Sequence, residues 1–304
     1  MEHLAGLKTL NRRRMMGAIA APLAAAPLSA QAAAPLPAVK LGSFQVTRLV
    51  AGYNPIGGYS HAVPKLSAIM TNWFTPERTL EYALSCERNG INTWQISVDR
   101  KVFGALRAAR ERGSKLQHIC LMRDEEPATW KEIVDLKPIA VVHHGGVTDR
   151  FFYRGEQAKV RDFVRKAHDF GLMAGVSSHV PEHIARVDDA GWEHDLYMTC
   201  LYNVVREAEK LKAGLGDVPV DELFLSRDPE RMAEVVRQVK RPCLAFKVFA
   251  AGRLCNSQAS MEKALRFAYR NIKQGDGLIV GMFPMLTDEI ALNASTVRQI
   301  LAES

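Results

Sequence analysis

Five side chains in this sequence stand where they could move a proton or orient a reacting group. His144 closes the run Val142-His143-His144, His179 opens the run His179-Val180-Pro181-Glu182-His183, and Lys247 follows Leu244-Ala245-Phe246. Gln95 and Asn203 lie in or just after two further short apolar runs. Imidazole changes charge near neutral pH and so carries protons in either direction. A lysine drawn out of water serves as a base, a Schiff-base nucleophile or a carboxylate anchor. The set therefore points to acid–base work. His144 is the expected general acid/base, Lys247 the group that stabilises a carbonyl or enolate oxygen, and Gln95 and Asn203 the orienting amides. The structural alternative for Lys247 is a salt bridge to Asp99, Asp124 or Asp149. His144 and His179, with a carboxylate or His61, also have the types that bind a divalent metal. His183 is expected to face solvent, because Pro181 starts a helix between it and His179, and His143 to face a helix layer.

These residues need a scaffold that brings the ends of several short runs together. From residue 44 onward a unit repeats: a β-rich run, a turn, an amphipathic helix. The runs fall at 44–51, 93–97, 117–123, 139–144, 172–178, 196–202, 243–249 and 277–282. A long Gly/Pro/Ser loop at 52–76 follows the first. Thr75-Pro76-Glu77 then opens a helix with a capping hydroxyl and a first-turn proline, and Asn89-Gly90 ends it. Further helices are expected at 102–112, 129–136, 156–170, 181–190, 228–239, 260–271 and 287–302. Eight strand–helix units with right-handed crossovers make an α/β (β/α)8 barrel of one domain. An open doubly wound sheet fits less well, since no GxGxxG follows the first run. In a barrel the site lies at the C-terminal strand ends. Alternation puts Gln95 with Ser97, Ala140 with Val142 and His144, Gly175 with Ser177 and His179, Thr199 with Asn203, and Ala245 with Lys247 on inward faces. The result is a polar crown above a small, apolar interior.

The chain has 304 residues, 47% of them hydrophobic and 24% charged, enough for a sizeable core. No basic run with interleaved aromatics supports a nucleic-acid partner. Cys86, Cys120, Cys200, Cys243 and Cys255 lack metal-finger spacing, and their odd number argues against a disulfide framework. Residues 1–32 read as a twin-arginine-type export signal. Asn11-Arg12-Arg13-Arg14-Met15-Met16-Gly17 resembles the motif, an Ala-rich stretch follows, and Ala30-Gln31-Ala32 suits cleavage. That stretch is too short, and too interrupted by Pro22 and Pro27, to span a bilayer. The expected organisation is signal 1–32, linker 33–40 and barrel 41–304, with the export machinery as partner and a periplasmic or secreted destination.

The strand-end fragments resemble those of aldo/keto reductases. Val46-Thr47-Arg48-Leu49 and Gly52-Tyr53-Asn54-Pro55-Ile56-Gly57-Gly58 are similar to their first strand and loop, and Gly90-Ile91-Asn92-Thr93-Trp94 to their second-strand entry. Val142-His143-His144-Gly145, Gly175-Val176-Ser177-Ser178, Tyr202-Asn203 and Ala245-Phe246 with Ala251-Gly252 are similar to strands four to seven. The resemblance implies a barrel, a catalytic histidine at His144 and a nicotinamide cofactor. The remaining catalytic set departs from it. Gln95 stands for the aspartate, no tyrosine occurs at 99–101, and Met122 or Arg123 stands for the lysine. Phe246 could replace the aromatic that stacks on nicotinamide. Residues 281–287, however, lack a basic partner for a 2′-phosphate, so NADP is doubtful.

The expectation is an exported barrel enzyme that performs a lyase, isomerase or hydrolase step on a small polar or carbohydrate-like substrate. Tyr53, Asn54, His61, Arg123, Tyr202 and Phe246 are the expected substrate contacts, and a divalent metal on His144 and His179 is a further possibility. The alternatives are an NADP-dependent oxidoreductase with rearranged catalytic residues and a ligand-binding barrel without catalysis.

Overall fold

The computed structural model describes residues 35–123 and 126–303. The expected export signal and its cleavage site lie outside the described residues. The chain enters through an antiparallel hairpin of β1 (Ala38–Leu41) and β2 (Phe44–Thr47). Eight parallel strands then close into the expected barrel. They are β3 (Leu49–Gly52), β4 (Thr93–Ser97), β5 (Gln117–Met122), β6 (Ala140–His143), β7 (Met173–Ser178), β8 (Leu196–Cys200), β9 (Cys243–Phe246) and β10 (Gly277–Gly281), with β10 returning to β3. Parallel neighbours need long crossovers, and the helices supply them. These are α1 (Pro64–Trp73), α2 (Pro76–Arg88), α3 (Arg100–Glu111), α4 (Pro127–Asp135), α5 (Gly145–Tyr153), α6 (Ala158–Asp169), α7 (Pro181–Asp189), α8 (Ala208–Leu215), α9 (Asp228–Gln238), α10 (Gln258–Asn271) and α11 (Glu289–Ala302). Among the described residues no helix is long and apolar enough to cross a membrane.

Local chemistry sets several of these boundaries. Thr75 accepts a hydrogen bond from the Arg78 backbone N–H and Pro76 occupies the first turn of α2, as expected. Asp99 caps α3 by accepting from the Lys101 N–H. The run expected at 44–51 is two strands. At Arg48 the backbone leaves the hairpin, and its carbonyl accepts from the Leu278 N–H to start the barrel. The linker expected to reach Lys40 is strand from Ala38 onward. Three helices had no expected counterpart. Of these, α1 lies inside the long Gly/Pro/Ser loop; its Leu66, Ile69, Met70 and Trp73 recur at helical spacing, although none is fully buried. The second, α5, begins with two glycines that look like a loop. The third, α8, sits in the excursion after β8 and also buries nothing.

Two apolar clusters divide the molecule. Val50, Ile119, Ala140, Val142, Leu196, Met198, Leu244 and Ile279 fill the barrel, and Leu41 and Val46 of the hairpin pack with them. Trp94, Trp130, Tyr197 and Phe103 belong to the larger layer between strands and helices. The interior assignment corrects two expected faces. Leu196 and Met198 point inward on β8, which leaves Thr199 on the opposite pleat. Leu244 and Phe246 point inward on β9, which leaves Ala245 outside. A one-residue error in strand parity exchanges every side chain between faces.

Glycines report how tightly this interior is filled. A Cβ on Gly175 would lie 2.8 Å from a Val142 methyl and 2.9 Å from Leu196 Cγ, whereas a Cβ on Gly104 of α3 meets nothing within 4 Å. Gly175→Val is therefore expected to cost about 1–3 kcal/mol by overpacking. Gly104→Ala is expected to stabilise by about 0.5–1 kcal/mol through helix propensity. Urea unfolding of both variants checks this, with midpoints moving in opposite directions.

Candidate functional site

A cavity of about 450 Å³ opens at the C-terminal ends of the strands. Its walls are largely apolar: Leu66, Met70, Leu121, Met198, Val204, Val205, Phe246 and Phe283 contribute, with Tyr53 and Tyr59 at one side. Set into these walls are Asn54, His61, Gln95, Arg123, His144, Ser177, His179, Glu222, Lys247 and Glu289. Apolar walls with a few convergent polar groups are what small-ligand sites present.

Four polar atoms in this lining are buried without a hydrogen-bond partner among the described residues: Lys247 Nζ, His144 Nδ1, Ser177 Oγ and Glu222 Oε2. Lys247 reaches the cavity by an unforeseen route. Strand alternation would send it outward, since Phe246 points in. Its φ of 59° places it in the left-handed region, and the backbone turns it back toward the mouth. Burial pulls its ammonium below the ordinary lysine range, and the charges of Cys200 and Glu222 offset this only in part. The structural alternative fails for the two partners that can be described, since Asp149 and Asp99 are both otherwise engaged; Asp124 lies outside the described residues. Asp99 accepts from the Tyr53 hydroxyl at 2.9 Å as well as capping α3.

Asp149 organises the next group. It is 1% exposed and accepts four hydrogen bonds, from Ser178 Oγ, the His179 backbone N–H, His179 Nδ1 at 2.8 Å and His183 Nδ1 at 2.9 Å. Burial alone would raise its pKa. The hydrogen bonds from His179 and His183 outweigh that and hold it below the usual carboxylate range. An ionised carboxylate only accepts, so both Nδ1 atoms carry protons, and in the neutral imidazole Nε2 is then the acceptor. His183 is thus not solvent-facing, as expected from Pro181, but buried, with its ring 4.6 Å from that of Phe152. The first turn of α7 points back at α5 rather than out. His179 stands edge-on to Phe246 and lines the cavity.

His144 follows β6 directly and precedes α5, and it lines the cavity as expected. The register pairs His143 with Val176, so His144 is level with Ser177 and below His179 rather than beside it. Burial, then the charges of Arg123 and His179, push the His144 imidazole down to about 4. His143 faces the helix layer as expected and meets Thr148 Oγ1 at 2.7 Å. The Gly145-Gly146 segment begins α5, and no side chain caps that helix. A Cβ on Gly145 would lie 2.9 Å from Ser177 Oγ and 3.1 Å from His179 Cε1, so only glycine lets the helix start this close to β7.

Further expected contacts fall into place around the mouth. Tyr53, Asn54, Arg123 and Phe246 line the cavity, and Gln95 does so while donating to the Ile96 carbonyl at 2.7 Å. His61 sits between Asn54 Nδ2 at 3.2 Å and Glu222 Oε1 at 2.9 Å. Glu222 was not anticipated, because it lies in the patternless excursion between β8 and α9. Two expected residues are elsewhere. Asn203 is outside the cavity, its N–H donating to Asp228 and its side chain accepting from the Val205 N–H. Tyr202 packs on Phe224 in the core, with ring centroids 5.3 Å apart. The parity of β8 accounts for Asn203, whereas Tyr202 lies beyond the strand end and is held in the core by Phe224. As for a metal on His144 and His179, Asp149 occupies His179 Nδ1. No group of three or more His, Cys, Asp or Glu among the described residues is arranged to hold an ion.

No protein-family profile matches the chain, and no curated protein matches it. Solved structures do. A truncated 3-deoxy-D-arabino-heptulosonate 7-phosphate synthase from Thermotoga maritima superposes with a TM-score of 0.51 at 12% identity, over 88% of this chain and 92% of that one. Dihydropteroate synthase from Thermus thermophilus follows with 0.49 at 13%, over 88% and 100%. A structure described as a 2,5-diketo-D-gluconic acid reductase B gives 0.46 at 10%, over 87% and 91%. At these identities the likeness is one of fold, the (β/α)8 barrel.

The imidazole environments predict an acid limit to stability. An unfolded histidine titrates near 6.5, whereas His144 in the fold is held down to about 4, as is His194, and His118 and His143 to about 3. Between those values the unfolded chain binds protons that the fold refuses. The stability present above pH 6.5 is therefore lost progressively as pH falls toward 4. Melting temperature measured across this window should fall, and His144→Asn should make the slope shallower. An unchanged slope would remove His144 from the set of groups responsible.

Proposed function

We propose that the cavity is the active site of an enzyme that moves a proton at a carbon next to a carbonyl group, in a small molecule with an apolar body. The observation that carries this reading is the convergence of partnerless polar atoms on one apolar-walled cavity beside a carboxylate-held imidazole. Buried polar groups without partners cost stability, so a fold that keeps several together keeps them for a ligand.

The roles follow from the environments. His179 presents Nε2 as acceptor while Asp149 holds Nδ1–H, and it takes the proton; Asp149 stabilises the imidazolium that forms. Negative charge then grows on the carbonyl oxygen. Lys247 holds that end of the molecule, and the uncapped start of α5 adds the positive end of a helix dipole. His144 remains a neutral imidazole at pH 7 and serves as hydrogen-bond partner and proton return. Gln95 and Arg123 orient the ligand. The extent of apolar wall favours a ligand with an apolar flank over a uniformly hydroxylated sugar. Such a proton transfer is common to isomerase and lyase steps.

The test is exchange of carbon-bound hydrogen for deuterium in pyruvate and phenylpyruvate, followed by proton NMR in D2O. The protein is expected to accelerate exchange over buffer, and His179→Ala and Lys247→Met each to reduce the acceleration by about 10²-fold or more. Lys247→Met should melt no lower than the parent, because it removes a partnerless buried charge. Exchange no faster than in buffer for both compounds would refute the reading.

A further inference from the structure

Lys247 offers more than a charge, and its further role rests on the carbonyl chemistry proposed for the same cavity. Three observations bear on how this amine meets a ligand. Its Nζ has no hydrogen-bond partner among the described residues, so it is not spent on the fold. It stands on a left-handed backbone turn at the end of β9, followed by Ala250 and Ala251, also at positive φ. Non-glycine residues pay about 1–3 kcal/mol to remain there, and such strain gathers where a side chain must be aimed. Finally, Phe246, Val248 and Phe249 beside it in the lining keep water away, and the Glu222 carboxylate offsets that desolvation only in part. A lysine at its ordinary pKa is only about 0.04% neutral amine at pH 7. Desolvation among apolar side chains raises that fraction, and the neutral amine is the nucleophile.

The geometry points to Lys247 as a covalent nucleophile that forms an imine with the ligand's carbonyl carbon. The Nζ lone pair attacks that carbon, a C–N bond forms, and the C=O π pair moves to oxygen. Oxygen gains two protons in all, from the amine by way of neighbouring groups, and leaves as water, giving Nζ=C. No oxidant or reductant is needed. Glu222 lines the same cavity with a partnerless Oε2 and can relay those protons. Once a proton from solvent returns to Nζ, the resulting iminium takes up the electrons that proton removal leaves on the adjacent carbon, giving a neutral enamine, so the amine and the Asp149–His179 pair serve the same step.

Reductive trapping tests this directly. Full-length protein is incubated with pyruvate, phenylpyruvate or benzaldehyde and sodium cyanoborohydride, which reduces an imine to a stable secondary amine. Peptide mapping by mass spectrometry then locates the label. Lys247 is expected to carry at least about tenfold more label than any exposed lysine, in line with its larger neutral fraction. Lys247→Arg keeps a cation but cannot form the adduct. It should fold, as judged by thermal unfolding, and lose that label. Label spread evenly over lysines with all three compounds would overturn the proposal. So would deuterium exchange abolished by Lys247→Met with no trapped adduct, although the proton-transfer reading would then survive. An adduct at Lys247 without deuterium exchange would uphold the imine and refute the proton-transfer reading.

Discussion

A carboxylate shut away from water must be met by donors, and Asp149 is met from two other segments at once. It sits on α5, it takes a backbone and two side-chain donors from Ser178 and His179 at the end of β7, and it takes the His183 imidazole from α7. Removing one partner of a buried charge is far costlier than never burying it, about 3–5 kcal/mol. The short helix α5, the turn after β7 and the start of α7 therefore form one unit. Its consequence for the cavity is orientation. Both histidines are fixed in one tautomer, but only His179 reaches the lining. Gly145 belongs to the same constraint, since a side chain there would strike Ser177 and His179 and push α5 off the strand.

Elsewhere in the cavity lining the design is the reverse. Lys247, Ser177, His144 and Glu222 each bring a buried polar atom that the fold leaves unmet. Each such atom costs about 1–3 kcal/mol. Four of the five non-glycine residues at positive φ among the described residues, His61, Lys247, Ala250 and Ala251, stand on loops at this end. Other buried partnerless atoms, such as His118 Nε2 and both His194 ring nitrogens, lie away from the cavity; the four in the lining are the ones that share a single open space. A second contact set holds the excursion after β8 over this end: His61 meets Glu222 at 2.9 Å, and Arg253 donates to the His61 carbonyl while stacking over Phe224. The cavity is thus walled by loops from β3, β8 and β9 that touch one another, which keeps its polar groups in low dielectric.

Much of this was legible in the residues. Eight β-rich runs with intervening helices, the Thr75-Pro76 start of α2 and the placement of His144, Gln95, Tyr53, Asn54, His61, Arg123 and Phe246 at one end follow from periodicity, turn chemistry and the resemblance of the strand-end fragments. The failures are of three physical kinds. Strand parity carried Thr199 and Asn203 inward, because an all-buried strand such as Leu196–Cys200 has no polar face to show its phase. The short helices α1 and α8 lie inside loop-like stretches, and α5 hides behind Gly145-Gly146. Long-range pairing was out of reach: nothing in the spacing of Asp149, His179 and His183 announces a shared carboxylate, and nothing in 203–227 singles out Glu222. Lys247 reached its expected place for a different reason, a left-handed turn rather than alternation.

The fold holds Lys247 desolvated and unspent at the mouth of the cavity, and on this the chemistry turns. The direct measurement is a pH titration of the lysine ¹³Cε resonances by NMR, with Lys247 assigned by its loss in Lys247→Met. The Lys247 midpoint is predicted to fall clearly below the ordinary lysine value of about 10.4. A midpoint at or above that value would mean the ammonium is solvated or paired, and would contradict a desolvated, unspent amine.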